Sequence, residues 1–315
     1  MTREKLLNIS KEIREIVDEK QKELELSFIE DTHTYYIKDL DGKITTKMPS
    51  VSSVIKHFYT PFDDISKSYD LSQGCLMTQD DILKGWKASA DYATNKGSRV
   101  HYILEMKLLE QYGSYKEVRQ PIFECDEKQT SDGDIMIQAG MDFIKEMHSR
   151  GAVLLDTEMV LGSARLGYTG QPDKVWLMLD KNGNLGFVIT DWKTNKPENF
   201  EVKPFTEKML SPFQDYYDTA LNHYMIQLPL YGRLLLDMLK GTKYEDIKFF
   251  GCVIVHLMSE GVHKYVEYRV PNEFKNIVLT MNPLPRTKEV EEYKKEYEFK
   301  SKNRLFNLDM YLGLV

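Results

Sequence analysis

Asp191-Trp192-Lys193 closes an apolar run, residues 185–190, and Gly170-Gln171-Pro172-Asp173 opens another, residues 175–179. Side chains alternate faces along a strand, so Asp191 and Lys193 share a side and Trp192 takes the other. Two carboxylates and a lysine converging at a sheet edge suit metal-assisted phosphodiester cleavage. Asp173 and Asp191 would hold Mg²⁺ or Mn²⁺, and Lys193 would neutralise charge or steer the attacking water. Upstream, Gly97-Ser98-Arg99-Val100-His101 sits late in a long helical pattern. Glycine there permits close backbone approach, and His101 can offer a neutral imidazole to a metal, with Glu105 one turn further on the same face.

Glu158 interrupts an apolar run, residues 154–160, that reads as a strand. Such an acid either faces solvent on an edge strand or is buried and needs a partner, because unpaired buried charge is costly. Downstream, Gln227 and Tyr231 form an i,i+4 pair on one helix face. Their polar ends could orient a phosphate, a water or Lys193, or could simply be hydrogen-bonding groups of a half-buried face.

The elements that must carry these residues follow from periodicity. Residues 3–26 read as an amphipathic helix with Leu6, Ile9, Ile13, Ile16 and Val17 on one stripe. Residues 27–37 read as one strand, Asp41-Gly42 as a hairpin turn and 43–48 as the returning strand. Ser50 would cap a short helix over 51–58, and 59–79 reads as a turn-rich surface excursion. A long helix over 78–112, with a break near Asn95-Lys96-Gly97, precedes another over 134–150. Strands are expected over 152–162, 173–179 and 185–193, the last two forming an antiparallel hairpin across residues 180–184. A helix over 216–240 ending at Gly241, strands over 249–256 and 263–270, and a charged helix over 288–304 complete the order. The pattern is that of an α/β core: a mixed sheet with helices on its faces and an N-terminal helix and hairpin added. Domain divisions are expected at 1–75, 76–285 and 286–315.

In combination, Gly97…His101, Glu158, Gly170-Gln171-Pro172-Asp173, Asp191-Trp192-Lys193 and Gln227…Tyr231 resemble the signature of the RecB-like branch of PD-(D/E)XK nucleases. More weakly, His33-Thr34-Tyr35-Tyr36, residues 49–55 and Trp86 are similar to the N-terminal region of phage exonucleases and the mitochondrial genome-maintenance exonuclease. The resemblance implies a restriction-endonuclease-like core. It implies a metal held by His101, Asp173, Asp191 and the Trp192 backbone carbonyl. Lys193 would then sit at the scissile phosphate or attacking water, Glu158 in an outer contact, and Gln227 and Tyr231 as braces. It also implies a DNA exonuclease of replication, recombination or repair, with a helicase, single-strand-binding or recombination protein as partner. Relatives with an iron–sulfur cluster use four cysteines; Cys75, Cys125 and Cys252 are too few and too dispersed, so no cluster is expected.

Net charge of −7, from 42 basic and 49 acidic residues, argues against tight nonspecific coating of DNA but not against cutting it. No apolar stretch is long enough to span a bilayer and the first residues are charged, so a cytoplasmic protein without membrane association is expected. Between Lys193 and Gln227, the cations Lys196, Lys203 and Lys208 alternate with Phe200, Phe205, Phe213, Tyr216 and Tyr217. Two readings of this loop stand: a single-strand groove in which aromatics stack on bases, or aromatics that anchor the loop to the core. The rival functions are a structure-specific or RNA-cleaving endonuclease and a non-catalytic nucleic-acid-binding subunit. A carbohydrate or peptide hydrolase built on Glu158 and Asp173 is more distant, since it leaves His101 and Lys193 idle. Oligomeric state is not encoded in any of these features.

Overall fold

A computed structural model describes residues 2–282, apart from 30, 31, 33, 39–44, 113–120, 204, 205, 262 and 263. The Asp41-Gly42 turn, His33, Phe205 and the 288–304 helix therefore lie outside the described residues.

The centre is a five-stranded mixed sheet in the order β10-β9-β8-β7-β4. Its strands are β4 (Val153–Thr157), β7 (Lys174–Leu179), β8 (Leu185–Lys193), β9 (Lys248–Leu257) and β10 (Tyr265–Arg269). The expected hairpin forms, with β7 antiparallel to β8 in the register Lys174↔Thr190 to Leu179↔Leu185. β4 also pairs antiparallel with β7, and β9 runs parallel to β8. Consequently β4, β8 and β9 all end at the edge where β7 begins. That edge is where ligands sit in open α/β sheets.

Alternation sorts the sheet's side chains into two apolar layers. Val153, Leu155, Val175, Leu177, Phe187 and Ile189 face α1 (Arg3–Glu23), α2 (Val51–Ile55), α6 (Ala220–Met238) and α7 (Asn272–Thr280). Leu154, Trp176, Trp192, Val255 and Leu257 face α4 (Gln79–Tyr112) and α5 (Glu127–Ser149). The N-terminal helix is part of this core: Leu6, Ile13 and Val17 are buried, and Ser10 donates to the Leu154 carbonyl at 2.8 Å. No helix of the described residues is long and apolar enough to cross a membrane.

Several expectations change. Residues 27–37 are two strands, not one: β1 (Ser27–Ile29) and β2 (Thr34–Lys38) pair antiparallel, and β3 (Thr45–Met48) extends them to a three-stranded sheet. The supposed surface excursion holds α3 (Asp64–Ser72), capped by Asp63 but with only Ser68 buried, so no apolar stripe announces it. The expected 51–58 helix is α2 followed by a 3-10 turn. α4 is unbroken; Gly97 serves close approach, since a Cβ there would lie 2.9 Å from Thr194 Oγ1. α5 begins seven residues early at Glu127, where Asp126 and Gln129 form a capping box. The 152–162 run divides into β4 and β5 (Leu161–Ser163), with β5 paired to an unexpected β6 (Tyr168–Gly170). α6 starts at Ala220, not 216, because Thr219 caps it through the Asn222 N–H. α7 was not foreseen.

Among the described residues of the 196–217 loop, Phe200, Phe213 and Tyr216 anchor it to the core. Phe213 is fully buried, edge-on to Phe58 at 5.1 Å and stacked on Phe274 at 5.7 Å. Tyr216 packs on Phe274 at 4.2 Å, and Phe200 is buried against His256. This corrects the reading of Phe213 as a base-stacking residue: its ring belongs to the core because α7 supplies the partner that the sequence did not reveal. Phe213→Ala is therefore expected to cost about 3–5 kcal/mol of stability, as for other fully buried aromatics. Denaturant unfolding measures this, and strand binding by the folded fraction should stay unchanged.

Candidate metal centre

Four segments meet at the sheet edge. His101 comes from α4, Glu158 from the residue after β4, Asp173 from the residue before β7, and Asp191-Trp192-Lys193 from the end of β8. Ligand atoms of His101, Glu158 and Asp173 lie within 4.8 Å of one another, forming the group of three potential metal ligands found among the described residues. One imidazole nitrogen and two carboxylates are a donor set suited to Mn²⁺, and to Mg²⁺ with water completing the shell.

Local structure explains the convergence. Glu158 is not in mid-strand, as its apolar neighbours suggested. β4 ends at Thr157 after a bulge between Leu154 and Asp156, and Glu158 adopts φ +44°. This left-handed backbone is rare outside glycine. It is held by the Glu158 N–H donating to the Asp173 carbonyl at 3.0 Å and by Gln171 Nε2 donating to the Glu158 carbonyl at 3.1 Å. Glu105, also buried, accepts from Thr157 Oγ1 at 3.2 Å and so ties α4 to the end of β4. These bonds place the His101 turn of α4 beside the two acids.

Asp173 is buried and is the hub. Its Oδ2 lies 3.2 Å from His101 Nδ1, accepts from the Trp192 N–H at 2.9 Å and sits 3.6 Å from the Lys174 ammonium. Burial alone would raise its pKa, but His101, Lys174 and Lys193 outweigh that and hold it below the usual carboxylate range. Burial lowers the His101 imidazole to about 4, with Lys174 and Lys193 adding to the fall, so the ring is neutral at pH 7 and able to ligate. The Trp192 backbone opposes that fall, which places this residue beside the imidazole.

Asp191 is buried with its Oδ2 paired with the Lys193 ammonium, and it lies outside the group of three potential ligands, which includes Glu158, expected in an outer contact. Lys193 captures the carboxylate because both side chains rise from the same face of β8 two residues apart. Burial and then the charge of Asp173 raise the pKa of Asp191. Lys193 moves upward despite burial, since Asp191 and Asp173 favour its charged form. It is thus an ammonium, a charge stabiliser and hydrogen-bond donor and not a base.

Gln227 and Tyr231 meet as the spacing suggested: Gln227 Nε2 donates to Tyr231 Oη at 2.9 Å. Tyr231 is buried against Gly170, where a Cβ would lie 2.5 Å from Tyr231 Cε1 and 2.7 Å from Val51 Cγ2. The neighbouring Thr169 N–H donates to the Pro49 carbonyl at 3.0 Å, so the 49–55 segment braces the same strand. Gly170→Ala must displace Tyr231 or Val51. A loss of about 1–3 kcal/mol is expected from this overpacking, read as a lowered denaturation midpoint.

Three further contributors carried no signal in the sequence. Lys174 is buried with its ammonium 4.4 Å from the Trp192 ring centroid; a lysine opening a strand reads as solvated. Tyr224 lies under Lys193, 4.2 Å from ammonium to ring centroid. Gln171 joins Glu158 to the Tyr35 hydroxyl, which is 3.4 Å from Gln171 Oε1. Of the loop cations, Lys196 and Lys203 are exposed, while Lys208 donates to the Asp215 carbonyl at 3.0 Å and covers the Tyr217 ring. No protein-family model matches this chain, and no curated protein sequence matches it.

Proposed function

We propose that this protein is a metal-dependent nuclease with a PD-(D/E)XK-type core, an exonuclease acting on single-stranded DNA or DNA ends. The observation that carries the reading is the grouping of His101, Glu158 and Asp173 within 4.8 Å, beside Asp191 and Lys193 at one sheet edge. Three carboxyl side chains there face two ammonium groups, Lys174 and Lys193, which leaves room for a cation's charge. When bound, Mg²⁺ or Mn²⁺ would supply Lewis acidity, lowering the pKa of the attacking water and offsetting charge on the phosphoryl oxygens.

The chain's own groups do the rest. His101, Glu158 and Asp173 would hold the ion, and the Trp192 N–H fixes the Asp173 carboxylate. Lys193 offers its proton-bearing ammonium to the phosphate, where charge grows in the transition state. Asp191 keeps that ammonium at the edge. Gln227 and Tyr231 support the strand that presents Asp173. Exposed Lys196 and Lys203 give the approaching backbone positive charge in an otherwise acidic protein. The intact acid and lysine set favours an enzyme over a non-catalytic binding subunit. The exonuclease assignment rests on the resemblance of the motifs to the RecB-like branch, as do roles beside a helicase, single-strand-binding or recombination protein.

The test compares end-labelled linear and circular single strands in Mg²⁺, Mn²⁺ and chelator. Cleavage of the linear strand from an end, none in chelator and survival of the circle are expected. Nicked circles would make the enzyme an endonuclease, and RNA cleavage in preference to DNA would reassign the substrate. Binding without cleavage in every metal would leave only the non-catalytic subunit.

A further inference from the structure

Lys193 has two supports of different kinds. Asp191 pairs with its ammonium from the same strand, and the ring of Tyr224, on helix α6, has its centroid 4.2 Å from that ammonium. The ring is itself fixed. Tyr224 Oη donates to Asn195 Oδ1 at 3.2 Å, and the Asn195 carbonyl accepts from His256 Nε2 at 2.8 Å. His256 is buried on β9, level with Lys193 in the parallel ladder, and Phe200 covers it with ring centroids 4.5 Å apart. Phe200 also meets the Tyr224 ring edge-on at 6.0 Å. Because the Asn195 carbonyl can only accept, Nε2 carries the proton; His256 Nδ1 is buried with no hydrogen-bond partner. The imidazole is therefore spent on orienting Asn195.

A lysine has four rotatable stem bonds, so a single carboxylate leaves its ammonium free to swing. A second attraction from the opposite element restricts it to one place, and an aromatic face attracts a cation without drawing off its proton. We propose that Tyr224 is a positioning residue for Lys193, its ring face holding the ammonium at the sheet edge together with the Asp191 carboxylate. The proposal rests on the nuclease reading above. The chain from His256 through Asn195 sets the ring's place, so the loop after β8 and strand β9 both contribute to the position of one ammonium group.

A fluorine series at position 224 tests it. Phenylalanine, 3,5-difluorophenylalanine and 3,4,5-trifluorophenylalanine keep nearly the same shape while the ring's attraction for a cation weakens stepwise. In the full-length protein with Mn²⁺, single-turnover cleavage of a linear single strand is expected to fall in order along the series, by about 2- to 30-fold in all. Strand affinity in chelator should stay within about twofold, because a non-reacting strand does not need a fixed ammonium. A readout independent of activity is the ring-current shift of the Lys193 ε-methylene protons in metal-free protein. It should be upfield in wild type and in Tyr224→Phe, and absent in Tyr224→Leu. A cutting wild type with a flat fluorine series, or a Lys193 resonance unmoved by Tyr224→Leu, overturns the proposal. A wild type inert toward every strand and metal overturns the nuclease reading instead, and the positioning role with it.

Discussion

Lys193→Ala is expected to lower single-turnover cleavage by about 10²–10³-fold, the usual cost of removing one group that stabilises transition-state charge. Lys193 is favoured as an ammonium by Asp191 and Asp173, so in the proposed reaction its contribution would be positive charge and a donated hydrogen bond at the phosphate. Lys193→Arg should recover only part of the rate, since a planar guanidinium cannot occupy the place of a compact ammonium between Asp191 and the Tyr224 ring. Metal affinity should not fall in Lys193→Ala, because His101, Glu158 and Asp173 are untouched and a competing cation has gone. Single-turnover rates with saturating Mn²⁺, together with a metal titration of the same variant, separate the two effects. A variant that cuts at the wild-type rate would remove Lys193 from the chemistry.

The second large effect concerns stability. An ion that binds only the folded chain stabilises it by mass action, about 2.7 kcal/mol at a hundredfold excess over its dissociation constant. For a protein of this size that corresponds to about 4 °C in thermal midpoint. Wild type should show this rise with Mn²⁺ and lose it in chelator. Glu158→Gln and His101→Ala should each abolish most of it, and Asp191→Asn should retain more, since the structure groups Glu158 rather than Asp191 with the other ligands. The order of these variants separates the observed geometry from the ligand set that the family resemblance implies. Differential scanning calorimetry in matched ionic strength measures it.

Why was one part of this site legible in the sequence and another not? Asp173, Asp191 and Lys193 sit where turn residues meet apolar strand runs, and the period of two decides that Asp191 and Lys193 share a face. His101 was legible from Gly97, and the structure gives that glycine its reason in the contact with Thr194. Glu158 was misread because the apolar residues on both sides of it look like one strand. The bulge in β4 and the turn in backbone direction at Glu158 are long-range effects of pairing with β7. That Glu158 and not Asp191 is grouped with His101 and Asp173 depends on which carboxylate Lys193 captures, a matter of side-chain rotamers and local charge.

The loop between β8 and α6 shows the same limit. Its aromatics and cations have the composition of a strand-binding groove, but composition does not say which way a ring faces. Phe213 faces inward because Phe58 and Phe274 enclose it. Helices α3 and α7 are not legible in the sequence for a related reason: each is nine residues long, too short for periodicity to stand out, and α3 buries only a serine. Lys174 is the hardest case, since only the folded chain shows that this lysine is buried between Asp173 and the Trp192 ring.

One spectroscopic measurement bears most directly on the metal centre. Pulsed electron paramagnetic resonance of Mn²⁺ bound to the protein detects nitrogen coupled to the ion, and ¹⁵N-histidine labelling identifies that nitrogen as imidazole. The geometry predicts one saturable Mn²⁺ site with a single directly coordinated histidine, present in wild type and missing in His101→Ala. A saturable site with no coupled imidazole, one that persists unchanged in His101→Ala, or no saturable site at all would contradict a metal centre built from His101, Glu158 and Asp173.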